Sequence, residues 1–229
     1  MDPAAVGRDV AAWVDGWLEA RPGAGLHPDF KRRVEVFATA LATWGVKTNL
    51  TSNPGDPLKV AFHLGDSVIP LALSRSAEPG ILATAFDRGR SVLDVGSGGG
   101  FPGLVLAAAT DADFTLVESR QKRASFLRTV SLEMGLGNVR VQARRISPGD
   151  FAGEFDVVMT RALGQPGNFL AIAGHALREG GVAIIYASAA QQIDPQLARR
   201  AGLGEFIRYA FELHRDYDQV QRAIFIWRK

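Results

Sequence analysis

The sequence has no cysteine, which excludes disulfide bonds, thiolate zinc sites and a thiol nucleophile. It has no apolar run near the roughly 18 residues that span a bilayer, so we expect no membrane-spanning helix. The first ten residues include Asp2 and Asp9 and lack an apolar signal core, which favours a cytoplasmic protein. The four histidines lack the spacing of metal ligands, so we expect no metal site.

The composition is that of a globular protein. Its 229 residues fit one domain of ordinary size, or one domain with a small extension. Charge is spread unevenly: residues 118–145 hold seven Lys and Arg against two acids, although the whole chain has a net charge of only +2. Such a stripe favours an anionic partner bound at one place, and the competing interpretation is a solvated helix face.

The pattern of apolar residues changes near residue 90. Before it, residues such as Phe30, Val34 and Leu41 recur at helical spacing; after it, short β-rich runs alternate with helical stretches. This predicts a helical extension over 1–89 and, over 90–229, an α/β domain with a mainly parallel sheet, the two forming one compact unit. The predicted elements are three helices from Asp2-Pro3 to about residue 21, from about residue 28 through Trp44 and from Pro57 to Ser74; a loop over 76–89; strands at 91–95, 113–117, 138–142, 155–160 and 181–186; helices at 102–109, 120–135 and 167–177; and an antiparallel pair at 205–214 and 220–228.

The most informative motif is a strand that ends in glycines, over residues 91–103. A Gly-x-Gly-x-x-Gly pattern starting at Gly98 would by itself suit a dinucleotide, as in a nicotinamide dehydrogenase. A second frame, Asp94-x-Gly96-x-Gly98-x-Gly100, places an acid at the strand end, where it would repel a pyrophosphate. S-adenosylmethionine has no phosphate, so the acid can orient its ammonium group, directly or through water, while backbone N–H groups meet its carboxylate. The alternative is a glycine-rich turn without a ligand.

The next predicted strand ends in a second acid, Glu118, 22 residues after Gly96. A carboxylate at that place can accept hydrogen bonds from both ribose hydroxyls of a cofactor. The alternative is that Glu118 only caps the helix that starts near Arg120. The two roles are compatible.

These motifs, together with further short elements, resemble one known family. The sequence resembles the bacterial small-subunit (16S) rRNA guanine-N7 methyltransferases, the glucose-inhibited division protein B family, from about residue 30 to 229. The glycine motif alone would mark only a class I methyltransferase, whereas the Asn-Leu-Thr, His-x-x-Asp-Ser, Lys-Arg and Arg-Ala elements are much more specific. The stretches that carry the resemblance are Trp44–Thr51, His63–Ser67, Leu93–Gly103, Glu118–Arg123 and Thr160–Leu163.

The resemblance implies a class I S-adenosylmethionine-dependent methyltransferase fold, with a Rossmann-like seven-stranded mixed sheet and the N-terminal helical extension. It implies S-adenosylmethionine as methyl donor, S-adenosylhomocysteine as product and a guanine of small-subunit ribosomal RNA as acceptor. It places Glu118 at the ribose and Arg145 and Ile146 beside the adenine. With the acid derived above, the predicted cofactor-binding residues are Asp94, Gly96, Ser97, Gly98, Gly100, Phe101, Glu118, Ser119, Arg145 and Ile146.

The chain departs from the family pattern at three places. The acid of the second strand is Glu118 where the family usually has Asp, and the usual Gly before Lys-Arg is missing. After the fifth strand, relatives typically carry a Lys-Gly pair, whereas this chain has Tyr186-Ala187-Ser188. The missing Lys bears on the RNA target and not on the cofactor.

By position in the family, Arg161 lies where donor and acceptor meet, and we take it as the catalytic residue. Guanine N7 has a lone pair and no proton, so methyl transfer to it needs alignment and no general base. An arginine can donate to the acceptor edge of guanine. We therefore expect Arg161 to orient the base or a phosphate; the alternative is a structural ion pair with Asp156 or Asp94.

His63, Lys122 and Arg123 are the other predicted substrate-binding residues. His63 shares a helical face with Asp66, and it contacts RNA, packs against the cofactor pocket or ties the helical extension to the core. Lys122 and Arg123 either reach phosphate groups or form a solvated helix face. The predicted partner is small-subunit ribosomal RNA or the small ribosomal subunit, without a membrane, and a monomer is expected.

Two other functions remain open. A class I methyltransferase acting on a small molecule would share the cofactor site and need no basic rim. A non-catalytic RNA-binding or ribosome-assembly protein would retain only a vestigial fold, against which the intact Asp94, Gly96 and Glu118 argue.

Overall fold

Two residues of the family-like stretches, Ala162 and Leu163, lie outside the part of the chain that this computed structural model describes. The described ranges are 2–19, 26–76, 80–161, 164–215 and 218–229. Within these ranges, no helix is both long enough and apolar enough to cross a membrane.

Three helices confirm the predicted N-terminal elements: α1 (Pro3–Glu19), α2 (Phe30–Thr48) and α3 (Pro57–Ser74). The predicted end of the first helix, near residue 21, lies outside the described residues. The sequence defines the start of α3, because the Asp56 side chain accepts hydrogen bonds from two backbone N–H groups of the first turn. The proline after Asp56 occupies the first helical position, where its missing N–H costs nothing. α1 packs against α2 and α3.

The rest of the chain alternates strands and helices: β1 (Ser91–Val95), α4 (Gly103–Ala109), β2 (Asp113–Val117), α5 (Gln121–Glu133), β3 (Val139–Gln142), β4 (Phe155–Arg161), α6 (Pro166–Ala176), β5 (Leu177–Ser188), α7 (Pro195–Arg200), β6 (Phe206–Arg215) and β7 (Asp218–Arg228). The seven strands form one sheet in the order β3-β2-β1-β4-β5-β7-β6. β1 to β5 run parallel, and β7 is antiparallel to both β5 and β6. The predicted alternation and the terminal antiparallel pair are confirmed.

The fifth strand is longer than predicted, since β5 begins at Leu177 and not at residue 181. Its pairing with β4 shifts between Phe155–Leu177 and Val157–Val182, so the intervening residues bulge out of the ladder. A bulge disrupts the alternation of side chains on which strand prediction depends.

Two short elements were not predicted. The helix α7 follows Asp194-Pro195, and the Asp194 side chain accepts the N–H of Gln196 as a cap. This Asp-Pro signal is the same one that starts α3, but the helix after it has only six residues. The predicted loop over 76–89 contains a 3₁₀ turn at Gly80–Leu82.

Helices cover both faces of the sheet over two hydrophobic clusters. The first cluster joins the N-terminal helices to α4, α5 and one sheet face, and includes Phe37, Leu64 and Phe126. The second joins α6 and α7 to the opposite face, and includes Phe169 and Leu170. The helical extension therefore shares its core with the sheet, and side chains of α3 can reach the carboxyl ends of the strands.

The strand order reverses at β1, which lies between β2 and β4. In open α/β sheets, the connections leaving such a pair of strands diverge to opposite faces and leave a crevice at the carboxyl ends. The glycine-rich turn, Glu118 and Arg161 all follow or end strands at this edge.

Candidate active site

The glycine-rich turn leaves β1 at Val95 and enters α4 at Gly103. Its backbone requires glycine where φ is positive, at +78° in Gly96, +55° in Gly98 and +95° in Gly100. Gly103 is needed for space, since a Cβ there would collide with the Asp94 carboxylate and the Leu116 side chain. The turn is therefore shaped by close backbone approach as well as by conformation.

Asp94 lies beneath this turn and has no exposed surface. Its Oδ2 accepts the Gly103 N–H at 3.1 Å, while its Oδ1 is buried without a hydrogen-bond partner among the described residues. Burial raises the pKa of the Asp94 carboxyl to about 7. The carboxylate thus supports the start of α4 directly, and one oxygen remains available for a donor.

Glu118 connects the glycine-rich turn to α5 and is 5% exposed. One carboxylate oxygen accepts the Gly98 N–H at 3.0 Å. The other accepts the Arg120 N–H at 2.7 Å and lies 3.5 Å from the Ser119 hydroxyl. Glu118 therefore links the turn to Arg120, the residue that precedes α5, but it accepts no N–H group from the first turn of that helix, so the predicted capping role is wrong. Each of its oxygens can accept further hydrogen bonds.

Phe101, His63 and Arg161 meet at the end of the turn. The Arg161 guanidinium lies 5.0 Å from the centroid of the Phe101 ring, and the His63 ring lies 5.2 Å from it. His63 Nε2 is 3.1 Å from the Thr51 hydroxyl, and His63 Nδ1 is 3.4 Å from Arg161 Nη1. Three of the predicted site residues, from α3, the turn and β4, are thus brought together.

Arg161 is largely buried, with 17% of its side chain exposed, and its ion-pair partner is Asp66. Arg161 Nη1 donates to Asp66 Oδ2 at 3.4 Å. The predicted ion-pair partners of Arg161, Asp156 and Asp94, were wrong. Asp156 lies at the other end of β4, where it pairs with Arg90 and Arg178. Asp94 makes no ion pair with Arg161, whose partner is Asp66. Burial lowers the pKa of Arg161, although a guanidinium remains charged at physiological pH.

Arg222, a residue that the sequence analysis missed, shares this carboxylate. Its Nε donates to Asp66 Oδ1 at 3.0 Å and its Nη2 to Asp66 Oδ2 at 2.9 Å. Asp66 belongs to the His-x-x-Asp-Ser element, but Arg222 lies in no motif. It reaches the site only because β7 pairs with β5, which places Arg222 opposite Ser188.

The other predicted site residues follow β2 or β3 or lie in α5. Lys122 and Arg145 are exposed, as is Ser119, and Ile146 is partly buried against the second hydrophobic cluster. Arg123 Nη2 donates to the backbone carbonyl of Asn49 at 2.6 Å, so it links α5 to the loop before α3.

Ser97 is buried, and its hydroxyl donates to the Asp94 carbonyl at 3.1 Å. Among the described residues, no group of three or more histidine and acidic side chains is arranged to hold a metal ion.

The chain is similar to known proteins over most of its length. A family model described as "rRNA small subunit methyltransferase G" matches residues 31–202. Proteins named ribosomal RNA small subunit methyltransferase G from Aromatoleum aromaticum and Xanthomonas campestris are 37% and 34% identical; the alignments cover 71% and 79% of this chain and 74% and 78% of theirs. The protein of that name from Herminiimonas arsenicoxydans is 34% identical over 63% of each chain.

Solved structures show the same fold at low identity. A SAM-dependent O-methyltransferase from Thermotoga maritima is 17% identical with a TM-score of 0.51, covering 65% of this chain and 62% of that one. A tRNA (m1A58) methyltransferase from Aquifex aeolicus is 15% identical with a TM-score of 0.52, covering 72% and 68%. A likeness at these identities shows the architecture alone.

Proposed function

Because this chain belongs to the rRNA small subunit methyltransferase G family, we propose that it transfers a methyl group from S-adenosylmethionine to N7 of a guanine in small-subunit ribosomal RNA. The predicted family and the class I methyltransferase fold are confirmed. The chain is therefore an S-adenosylmethionine-dependent enzyme, and the roles of its individual residues are our proposals.

The main support for the proposed cofactor site is that the glycine-rich turn lies beside two acids, Asp94 and Glu118, where the strand order of the sheet reverses. Asp94 has a buried Oδ1 without a partner among the described residues, which is an orphaned acceptor of the kind that a ligand cation satisfies. Glu118 presents acceptor capacity beside the turn, as ribose hydroxyls require. The residues present therefore fit the cofactor.

We assign the cofactor's methionine end to the turn at Gly96, Ser97 and Gly98, above Asp94. Glu118 would hold the ribose, Phe101 would line the pocket, and Arg145 and Ile146 would flank the adenine. The remaining residues proposed for this site are Gly100 and Ser119.

Bound S-adenosylmethionine supplies an electrophilic methyl group on a sulfonium. The chain's task is to hold guanine N7 in line with it, because N7 carries a lone pair and no proton. Arg161 is suited to this as a fixed cation over the Phe101 ring, since it orients an acceptor without exchanging a proton. A donor held by Asp66 and packed against Phe101 costs little reorganisation during the reaction.

The helical extension contributes to the same site. His63 and Asp66 come from α3, within the predicted 1–89 extension, and Arg161 from the 90–229 methyltransferase domain. We propose that His63, Lys122 and Arg123 contact the RNA substrate, Arg123 through a guanidinium whose Nη1 would lie 3.8 Å from a Cβ on Gly98 of the turn. We further propose that the chain acts as a monomer in the cytoplasm, on small-subunit RNA or the small subunit itself.

The test is methyl transfer from labelled S-adenosylmethionine to small ribosomal subunits that lack the modification, followed by nucleoside analysis. Label recovered in 7-methylguanosine is the expected result. Label in another nucleoside contradicts the assigned atom. No label in RNA, with cofactor binding intact by calorimetry, contradicts the assigned acceptor and favours a small-molecule methyltransferase.

A further inference from the structure

One buried carboxylate at the end of the active site is shared by two arginines. Asp66 is 1% exposed, and it holds Arg222 through two hydrogen bonds and Arg161 through one. The two guanidinium groups come from strands β4 and β7, which are separated in the sheet by β5. Asp66 is therefore the link that fixes their relative position.

The cluster carries more positive than negative charge. Two guanidinium groups face the Asp66 carboxylate. The next acid, Asp94, acts on Arg161 at longer range, and burial raises its pKa to about 7, so it is only partly ionised at neutral pH. Burial also raises the pKa of the nearby Tyr186, so this phenol carries no charge. Its hydroxyl donates to the Ser67 carbonyl at 3.0 Å, so it does not compete for Asp66.

Asp156 also pairs with two arginines, but the side chains of Arg90 and Arg178 are 43% and 47% exposed, so both stay hydrated. At Asp66 both arginines are largely buried, and burying the second cation costs free energy that folding alone does not require.

The surplus charge remains accessible. Three guanidinium nitrogens make no hydrogen bond among the described residues: Nη1 of Arg222, and Nε and Nη2 of Arg161. None of the three is fully buried. These N–H groups therefore reach solvent, although only 16% and 17% of the two side chains are exposed. Donors in a largely buried, positively charged cluster fit an anionic oxygen.

We infer that Arg222 is a second substrate-binding arginine, which binds a backbone phosphate of the target RNA, and that Asp66 is the positioning residue that holds Arg222 and Arg161 at a fixed separation. The inference rests on the proposed function for the identity of the substrate. Phosphate contacts fix the register of a nucleic acid without reading its sequence. Arg161 lies against Phe101 and is left to orient the base, so the two arginines have different tasks.

The first test compares Arg222→Gln and Arg222→Lys with the wild-type chain. Arg222→Gln should weaken binding to unmodified small subunits about tenfold and reduce the slope of log affinity against log salt by about one. Affinity for S-adenosylmethionine should not change. Arg222→Lys should retain most of the salt slope, because it keeps the point charge on the phosphate. The matched control is Arg199→Gln, which removes an exposed arginine on α7.

The second test is Asp66→Asn, in which subunit binding reports the charge of the cluster and kcat reports the position of the arginines. Removing the carboxylate makes the cluster more positive, so subunit binding should be as tight as before or tighter. If Asp66 positions the arginines, kcat should nevertheless fall on the order of 10- to 100-fold. A purely structural role would instead lower the melting temperature, cofactor affinity and kcat together.

The outcomes separate the two claims. A wild-type chain that methylates no subunit RNA overturns the proposed function. A methylating wild type whose Arg222→Gln variant keeps the subunit affinity and salt slope overturns the role of Arg222. An Asp66→Asn variant with unchanged kcat overturns the positioning role of Asp66. It leaves the results for Arg222 intact, because Arg222→Gln and Arg222→Lys are measured with Asp66 in place.

Discussion

The buried carboxylate of Asp94 supports the glycine-rich turn but lowers the stability of the fold at neutral pH. It is buried without exposed surface, and Oδ1 lacks a partner within the described residues. Its pKa is accordingly raised to about 7, from an ordinary value of 3.8. At a pH between these two values, Asp94 is protonated in the folded chain and ionised in the unfolded chain. At neutral pH this carboxyl group therefore lowers the stability of the folded chain.

Asp94→Asn should change how stability depends on pH. Because the folded-state pKa is raised, the wild-type free energy of unfolding should fall between about pH 4 and pH 7, by up to ~1.4 kcal/mol per pH unit from this group. Asparagine keeps an oxygen for the Gly103 N–H and does not titrate. The free energy of unfolding of the variant should therefore change less steeply with pH than that of the wild type. Urea denaturation at several pH values measures both slopes, and identical slopes would contradict the raised pKa.

At the scale of elements, the strand–turn–helix unit was predictable and the arginine cluster was not. Local patterns revealed β1, the glycine-rich turn and Glu118, because each is defined by neighbours along the chain. The partner of Arg161 is 95 residues away and the contact between Asp66 and Arg222 spans 156 residues, so no spacing indicates them. The order of β5, β7 and β6 in the sheet decides that contact.

Gly103→Ala should disrupt the junction between β1 and α4. Alanine normally favours a helix, but its Cβ would collide here with Asp94 and Leu116, which are held by the sheet. We expect a loss of about 1–3 kcal/mol of stability, as for an overpacked core, together with weaker binding of S-adenosylmethionine. Urea denaturation and calorimetry measure the two effects. Gly137→Ala is the control, since nothing lies within 4 Å of a Cβ there, and equal effects of the two substitutions would refute the steric argument.

At the scale of the whole molecule, the active site depends on packing between the helical extension and the sheet. The first hydrophobic cluster runs from α1 to β7, so α3 is held against the carboxyl ends of the strands. His63 and Asp66 thereby face the turn and Arg161, although they come from the predicted extension. The sequence could predict the two regions, but their shared site follows from three-dimensional packing.

The most direct test of the account is single-turnover methyl transfer by Arg161→Ala on unmodified small subunits. If Arg161 orients the guanine, the rate should fall on the order of 100- to 1000-fold while affinity for S-adenosylmethionine is retained. Arg178→Ala is the control, because it removes an arginine from a buried aspartate, Asp156, at the opposite end of the sheet, and it should keep the rate. A full single-turnover rate in Arg161→Ala would contradict the proposed active site.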